Sequence, residues 1–268
     1  MENLTKNYAL ITGGSSGIGL ELAKLFARDK YDLILVARDE GELAAAASTL
    51  KEEGVDVITI SKDLFDPNAA TALYNEVKDR GITVDVLVND AGQGMYGKFI
   101  ETDLERELDI IQLNVVSLVV LTKLFLKDMV ANKNGKILNL ASIASKVPGP
   151  YHAVYHGTKA FVHSFNEAVK NELKETGVTL TSLLPGATDT DFFRKADMLD
   201  AKIVQEGDLA AAADVAADGY KALMDGKDMV VSGFKNKVQV AMSNILPDNV
   251  GAENMRKMQE PTSDGENG

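Results

Sequence analysis

The chain has 268 residues, 45% hydrophobic and 25% charged, with a net charge of −12 and no cysteine. That size and balance fit one large α/β domain with a substantial core. The acidic sign disfavours nucleic acid or an anionic membrane as partner, and the missing cysteines exclude disulfides, a thiolate nucleophile and a Cys-based metal site. The first seven residues lack the apolar run of a signal peptide, and no stretch reads as approaching the ~20 continuous apolar residues of a membrane span. The expectation is a cytoplasmic protein.

Short apolar runs alternate with helical patterns from the start. Tyr8–Thr12 reads as a buried strand, followed by a helix over Ile18–Arg28 with Ile18, Leu22, Leu25 and Phe26 on one face. Leu33–Val36 is a second strand, and the Ala-rich stretch Glu40–Glu53 is helical by propensity. Val55–Ile60 is a third strand, and Pro67 opens a helix to about Arg80, Pro suiting the first turn. Val84–Val88 is a fourth strand, and a long helix covers roughly Leu104–Val130. Lys136–Leu140, a long helix over Tyr151–Glu175, and Val178–Leu184 follow. Pro185–Gly207 is polar and irregular, a helix runs to about Met224, and Asp228–Ser232 is the seventh strand. Near-continuous apolar strands separated by helices predict a Rossmann-type, doubly wound, seven-stranded parallel sheet with helices on both faces. Residues 1–247 read as one domain with a lid at about 189–207, and 248–268 as a polar, disordered tail.

Strand one runs into Thr12-Gly13-Gly14-Ser15-Ser16-Gly17-Ile18-Gly19 and then directly into a helix. Glycines in that context let backbone N–H groups approach a pyrophosphate at a helix N-terminus. The Gly13, Gly17, Gly19 spacing differs from the commoner G-x-G-x-x-G pattern. About twenty residues later, at the end of strand two, stands Ala37-Arg38. A carboxylate there would accept from the 2′-hydroxyl of NAD, whereas a guanidinium suits the 2′-phosphate of NADP. NADP(H) is therefore favoured over NAD(H), with a plain solvated strand-end Arg as the competing reading. Tyr155 and Lys159 lie four apart on one helix, on one face. An ammonium there is expected to lower the phenol pKa, making a tuned proton donor and acceptor.

With these residues, the chain resembles the short-chain dehydrogenase/reductase family in its compact single-domain branch, over nearly all of residues 5–235. The motifs are the Thr12–Gly19 loop, Asp63-Leu64, Asn89-Asp90-Ala91-Gly92, Asn114, Ser142, Tyr155 with Lys159, and Pro185-Gly186 with Thr190. The resemblance implies a catalytic set of Asn114, Ser142, Tyr155 and Lys159. Cofactor contacts would come from Gly13, Ser15, Ser16, Gly17, Ile18 and Gly19 at the pyrophosphate, and from Arg38 at the 2′-phosphate. Asp63 and Leu64 would meet adenine, and Asn89, Ala91 and Gly92 would pass the adenosine ribose. Lys159 would hold the nicotinamide ribose beside Tyr155, and Pro185, Gly186, Thr188 and Thr190 would contact the nicotinamide. Ser142 would hold the substrate carbonyl oxygen, and Asn114 a water linking Lys159 to solvent. The implied reaction is hydride transfer between NADPH and a carbonyl or secondary alcohol, with Tyr155 as general acid and base. The alternative is an NADP(H)-binding sensor with little catalysis.

Two positions depart from the family pattern. Asp90 replaces a usual Asn and is expected to be structural, and Thr188 stands where a Val is often found. His152 and His156 are four apart but lack a third ligand, so no metal is expected. Met95, Tyr96, Tyr151, Phe192, Phe193, Met198 and Leu199 are candidates for a hydrophobic pocket accepting a small-molecule carbonyl or alcohol. The remaining faces of the Asp109–Leu126 and Phe161–Leu173 helices are expected to pair into a homodimer or homotetramer.

Overall fold

The computed structural model describes residues 6–243 and 247–262 of the chain. The expected disorder of residues 263–268 and the N-terminal reading of Met1–Thr5 fall outside the described residues. The elements in order are β1 (Tyr8–Thr12), α1 (Gly17–Arg28), β2 (Asp32–Ala37), α2 (Glu40–Lys51), β3 (Val57–Ser61), α3 (Ala69–Asp79) and β4 (Val84–Asn89). Helix α4 (Leu104–Ile111) runs through a π-helical turn (Gln112–Ser117) into α5 (Leu118–Ala131). Next come β5 (Gly135–Leu140), a 3₁₀ turn (Ile143–Lys146), α6 (Ala153–Glu172) and β6 (Val178–Leu184). Then come β7 (Thr188–Asp189), α7 (Phe192–Lys195), α8 (Lys202–Gln205) and β8 (Ala210–Ala211), before α9 (Ala212–Met224) and β9 (Met229–Val231). Two further helices close the described chain, α10 (Phe234–Ser243) and α11 (Asp248–Gln259).

Seven strands form one parallel sheet in the order β3-β2-β1-β4-β5-β6-β9, as the apolar strand pattern predicts. Alternation along β1 divides the core between the two faces. Ala9 and Ile11 pack with Leu22, Phe26 and Val215 from α1 and α9, while Leu10 packs with Leu73 and Phe125 from α3 and α5. β2 does the same, with Leu33 and Leu35 on one face and Ile34 and Val36 on the other. Register aligns the strand ends: Thr12 lies beside Asn89, Asn89 beside Asn139, and Asn139 beside Ser182. The loops after these strands therefore emerge on one edge. Chain order reverses between β1 and β4, the position where open α/β sheets form a ligand crevice.

Two expectations change. The 28-residue run Leu104–Ala131 is long and apolar enough, by length and composition alone, to cross a membrane. Here it lies along the sheet, with Ile110, Leu113, Leu121, Phe125 and Met129 buried. Of the tail expected to be disordered from residue 248, Asp248–Gln259 instead form α11. Pro247 precedes its first turn, and Arg256 bonds Glu253 one turn earlier through Nε and a terminal nitrogen, both at 3.1 Å. Its Met255 is buried, and Pro261 pairs with Ala201 as an isolated antiparallel bridge.

Candidate active site

β1 ends at Thr12, whose hydroxyl accepts from the Asp90 and Ala91 N–H groups at 3.2 Å each, pinning the β4 loop beside the glycine turn. Gly13 (φ +72°) and Gly17 (φ +55°) adopt backbone conformations that favour glycine. Gly19 is needed for space: a Cβ there would lie 2.4 Å from the Gly13 oxygen and 2.5 Å from Asp90 Oδ2. The turn is thus pressed against the first turn of α1, a cradle of the kind a pyrophosphate needs. A cleft of about 1080 Å³ runs from this cradle across the strand ends to α6. Its size and its glycine cradle fit a dinucleotide.

Along the cleft wall lie Gly13, Ser15, Ser16, Gly17 and Ile18, then Arg38, Asp63 and Leu64. Ala91, Gly92, Pro185, Gly186, Thr188 and Thr190 line it further on, toward Ser142, Tyr155 and Lys159. Arg38 is exposed, with its guanidinium carbon 4.9 Å from the centre of the Phe65 ring. Three expected site residues do not line the cleft. Gly19 sits behind the turn. Asn89 is buried, with Nδ2 donating to Asn139 Oδ1 at 2.8 Å and Thr122 Oγ1 at 3.1 Å. Asn114 bonds the Gln93 backbone on both sides, accepting from its N–H at 3.0 Å and donating to its carbonyl at 2.8 Å. It sits in the π-helical turn, whose irregularity turns this amide toward the β4 loop, and Nδ2 also reaches Thr158 Oγ1 at 3.1 Å. What Asn114 positions here is the Gln93 backbone.

Tyr155 and Lys159 occupy successive turns of α6 on one face, with Lys159 Nζ 5.7 Å from the phenol ring centre. The expected depression of the phenol pKa does not follow. Burial pushes Tyr155 up to about 12, and the Ser142 hydroxyl beside it pulls the other way. Lys159 spends its ammonium elsewhere, donating to the Leu140 carbonyl at 2.8 Å. Burial brings Lys159 down to about 8, with the Asp90 charge opposing the shift. The Asp90 carboxyl rises to about 7 because it is buried, against the pull of Lys159 and the Gly19 N–H. Ser142 is held by the first turn after β5: its Oγ accepts from the Ala144 N–H at 3.1 Å and donates to the Pro185 carbonyl at 3.4 Å.

His152 and His156 take separate duties. The His152 ring stacks on Tyr155 with centroids 4.5 Å apart, and Phe192 from α7 lies 5.1 Å from the same phenol. His156 is tied to the Val147 carbonyl through Nδ1 at 2.8 Å. Of the expected pocket residues, Phe192, Phe193 and Met198 line the cleft, whereas Leu199 is exposed and Tyr96 packs on Tyr151. Met255, Met258 and Gln259 of α11 also line it, a contribution the polar composition of the tail hid.

A family model for short chain dehydrogenases matches residues 7–199, spanning the glycine turn, Ser142 and the Tyr155–Lys159 helix. The chain belongs to the short-chain dehydrogenase/reductase family. Its curated relatives include an uncharacterized oxidoreductase of Staphylococcus saprophyticus, 31% identical over 80% of this chain and 92% of that one. The ketoacyl reductase HetN of Nostoc is 31% identical over 69% of this chain and 65% of its own. Among solved structures, a short-chain dehydrogenase of Sphingobium yanoikuyae in complex with NADPH superposes with a TM-score of 0.80 at 27% identity, covering 89% of this chain and 94% of that one. An alcohol dehydrogenase of the archaeon Thermococcus sibiricus complexed with 5-hydroxy-NADP gives 0.73 at 26% identity, covering 84% and 95%. As a short-chain dehydrogenase, the chain is an oxidoreductase with a Rossmann-type nucleotide-binding fold.

Proposed function

We propose that this short-chain dehydrogenase uses NADP(H) to interconvert carbonyl compounds and secondary alcohols, with Tyr155 as general acid and base. The observation that carries this reading is that Ser142, Tyr155 and Lys159 line the same cleft as the glycine turn. The cradle and the N-terminus of α1 would hold the pyrophosphate, Arg38 the 2′-phosphate, Asp63 and Leu64 the adenine, and Pro185 to Thr190 the nicotinamide. Bound there, NADPH supplies the hydride for the carbonyl carbon.

The chain's own groups handle the oxygen. Ser142 Oγ turns its one proton from the Pro185 carbonyl to the substrate carbonyl oxygen and fixes that oxygen beside Tyr155. Tyr155 Oη gives up its proton to that oxygen as negative charge develops. A phenol pushed up to about 12 is neutral and loaded at pH 7, the correct state for reduction. Lys159, brought by burial to about 8, holds an exchangeable proton next to the phenol. Asn114 fixes the Gln93 backbone at the cleft, and the Phe192 and His152 rings flank Tyr155. The test is NADPH consumption, followed by absorbance, over a panel of ketones and aldehydes. No consumption with any carbonyl, beside tight NADPH binding, would favour a cofactor sensor instead.

The same reading extends to assembly. Leu104, Leu108, Ile111 and Phe161 are exposed by 62%, 48%, 37% and 45% on α4 and α6. Apolar faces of this kind mark interaction surfaces, and a second copy of the chain is the proposed occupant. Leu108→Glu is expected to convert an oligomer to monomer in size-exclusion chromatography with light scattering.

A further inference from the structure

His152 stands at the start of α6, and its ring folds back onto Tyr155. The chain reaches it through Tyr151, whose φ of +65° lies in the left-handed region that a bulky aromatic seldom adopts. Contacts from the loop after β4 hold that turn. The Gly97 N–H donates to the Tyr151 carbonyl at 2.8 Å, and the Tyr96 and Tyr151 ring centres lie 5.8 Å apart. His152 then caps α6 with its backbone: its carbonyl accepts from the His156 N–H at 3.1 Å, and its own N–H donates to the Gly149 carbonyl at 3.1 Å. Backbone strain of this kind persists only where its surroundings over-determine it, and it gathers at functional sites.

The ring delivered by this turn lies nearly parallel to the phenol, with 15° between the planes and 4.5 Å between the centroids. Gly94 makes room for it. A Cβ there would lie 2.2 Å from His152 Nε2 and 3.1 Å from Phe192 Cζ. Unlike Gly13 and Gly17, Gly94 has no positive φ, so space is the reason for glycine at this position. A hydrogen bond at Nε2 does not explain the ring's place, because that nitrogen is buried with no partner among the described residues. Proton transfer by His152 does not explain it either. Burial, with the His156 charge adding to it, takes the imidazole down to about 3 and keeps it neutral at pH 7. The contact that remains is the stack on the phenol.

We infer that His152 is a positioning residue for Tyr155: held by the turn at Tyr151 and admitted by Gly94, its ring fixes the phenol in the orientation from which the proton passes to the substrate oxygen. This rests on the carbonyl-reductase reading above. Proton transfer needs the two heavy atoms within about 2.6–3.2 Å. Without the stack on one side, the phenol swings about its side-chain bonds and spends less time in that range. Chemistry then slows while cofactor and substrate still bind, and a misplacement of about 1 Å can cost about a hundredfold in rate.

Two variants disturb the stack in different ways. His152→Ala deletes the ring, and Gly94→Ala keeps it but places a methyl group where Nε2 lies. With a ketone that wild type reduces, each is expected to lower kcat roughly 10- to 100-fold, with KM for the ketone and the NADPH dissociation constant within a factor of about two. In the double variant the losses should not multiply, because both act through one ring. A His152→Ala kcat within about twofold of wild type, or losses that multiply in the double variant, overturns the assignment. If Gly94→Ala fails to fold, the His152→Ala kcat decides alone. A readout free of turnover is fluorine NMR of protein labelled with meta-fluorotyrosine, the Tyr155 resonance being identified by its loss in Tyr155→Phe. That resonance is expected to move and broaden in His152→Ala, and one as sharp and as placed as in wild type overturns the positioning role even where no ketone is reduced. Failure of the reductase reading, seen as no ketone reduced by wild type, is therefore a separate result.

Discussion

Asp90 and Lys159 oppose each other's pKa shifts inside the cleft wall. The Lys159 ammonium holds the buried Asp90 carboxyl down while Asp90 holds Lys159 up, and burial exceeds both effects. Asp90 Oδ2 also lies 2.9 and 2.5 Å from where a Cβ on Gly13 or Gly19 would stand, so the carboxyl sits directly behind the glycine turn.

A dependence of stability on pH follows. The folded protein keeps the Asp90 proton up to about pH 7, whereas an unfolded chain loses it near pH ~3.9. Between those values the folded state binds more protons than the unfolded one, so this carboxyl makes stability fall as pH rises. Asp90→Asn keeps an acceptor for the Gly19 N–H and removes the titration. Its melting temperature relative to wild type is expected to rise between pH 4 and pH 7, by about 2–4 °C for each kcal/mol recovered. A pH-independent difference would refute this.

Beneath the site, buried amides form a chain across the sheet. Asn89 Nδ2 donates to Asn139 Oδ1 at 2.8 Å, Asn139 Nδ2 donates to Asn166 Oδ1 at 2.7 Å, and Asn166 Nδ2 donates to Ser182 Oγ at 2.9 Å. Asn139→Leu breaks two of these bonds and leaves Asn166 Oδ1 short of its donor. Urea denaturation is expected to show a loss of about 2–3 kcal/mol. A change under half a kcal/mol would mean that the network adds little.

The strands are legible in the sequence, because continuous apolar runs such as Leu33–Val36 have few other uses. The glycine turn was equally legible, since it must follow a strand and open a helix. What escaped depended on contacts distant in sequence. The motif at Asn89 speaks for its backbone, and what it does not reveal is that the side chain donates to Asn139, fifty residues away. The π-helical turn at Asn114 leaves no periodic mark. Helix α11 was hidden by polar composition, although Pro247 and the Glu253–Arg256 spacing are start and pairing signals. Tyr155 and Lys159 were paired correctly by spacing, but burial reversed the expected direction of the phenol shift.

The proposed NADP(H) preference rests on Arg38. Its guanidinium is exposed at the end of β2, steadied over Phe65, on the cleft wall. Arg38→Ala is expected to weaken NADPH binding roughly 10- to 100-fold, the worth of a charge-assisted contact, and to leave NADH binding within a factor of about two. Calorimetric titration of both cofactors decides the matter. An equal loss for NADPH and NADH would remove Arg38 from the 2′-phosphate.

The central claim is that Tyr155 delivers the proton while other groups hold the cofactor. Tyr155→Phe keeps the ring between His152 and Phe192 and deletes only the hydroxyl. With a ketone that wild type reduces, NADPH oxidation in single turnover should slow by about 10²–10⁴-fold, with the NADPH dissociation constant unchanged. A Tyr155→Phe protein that binds NADPH normally and reduces the same ketone at the wild-type rate would contradict the account.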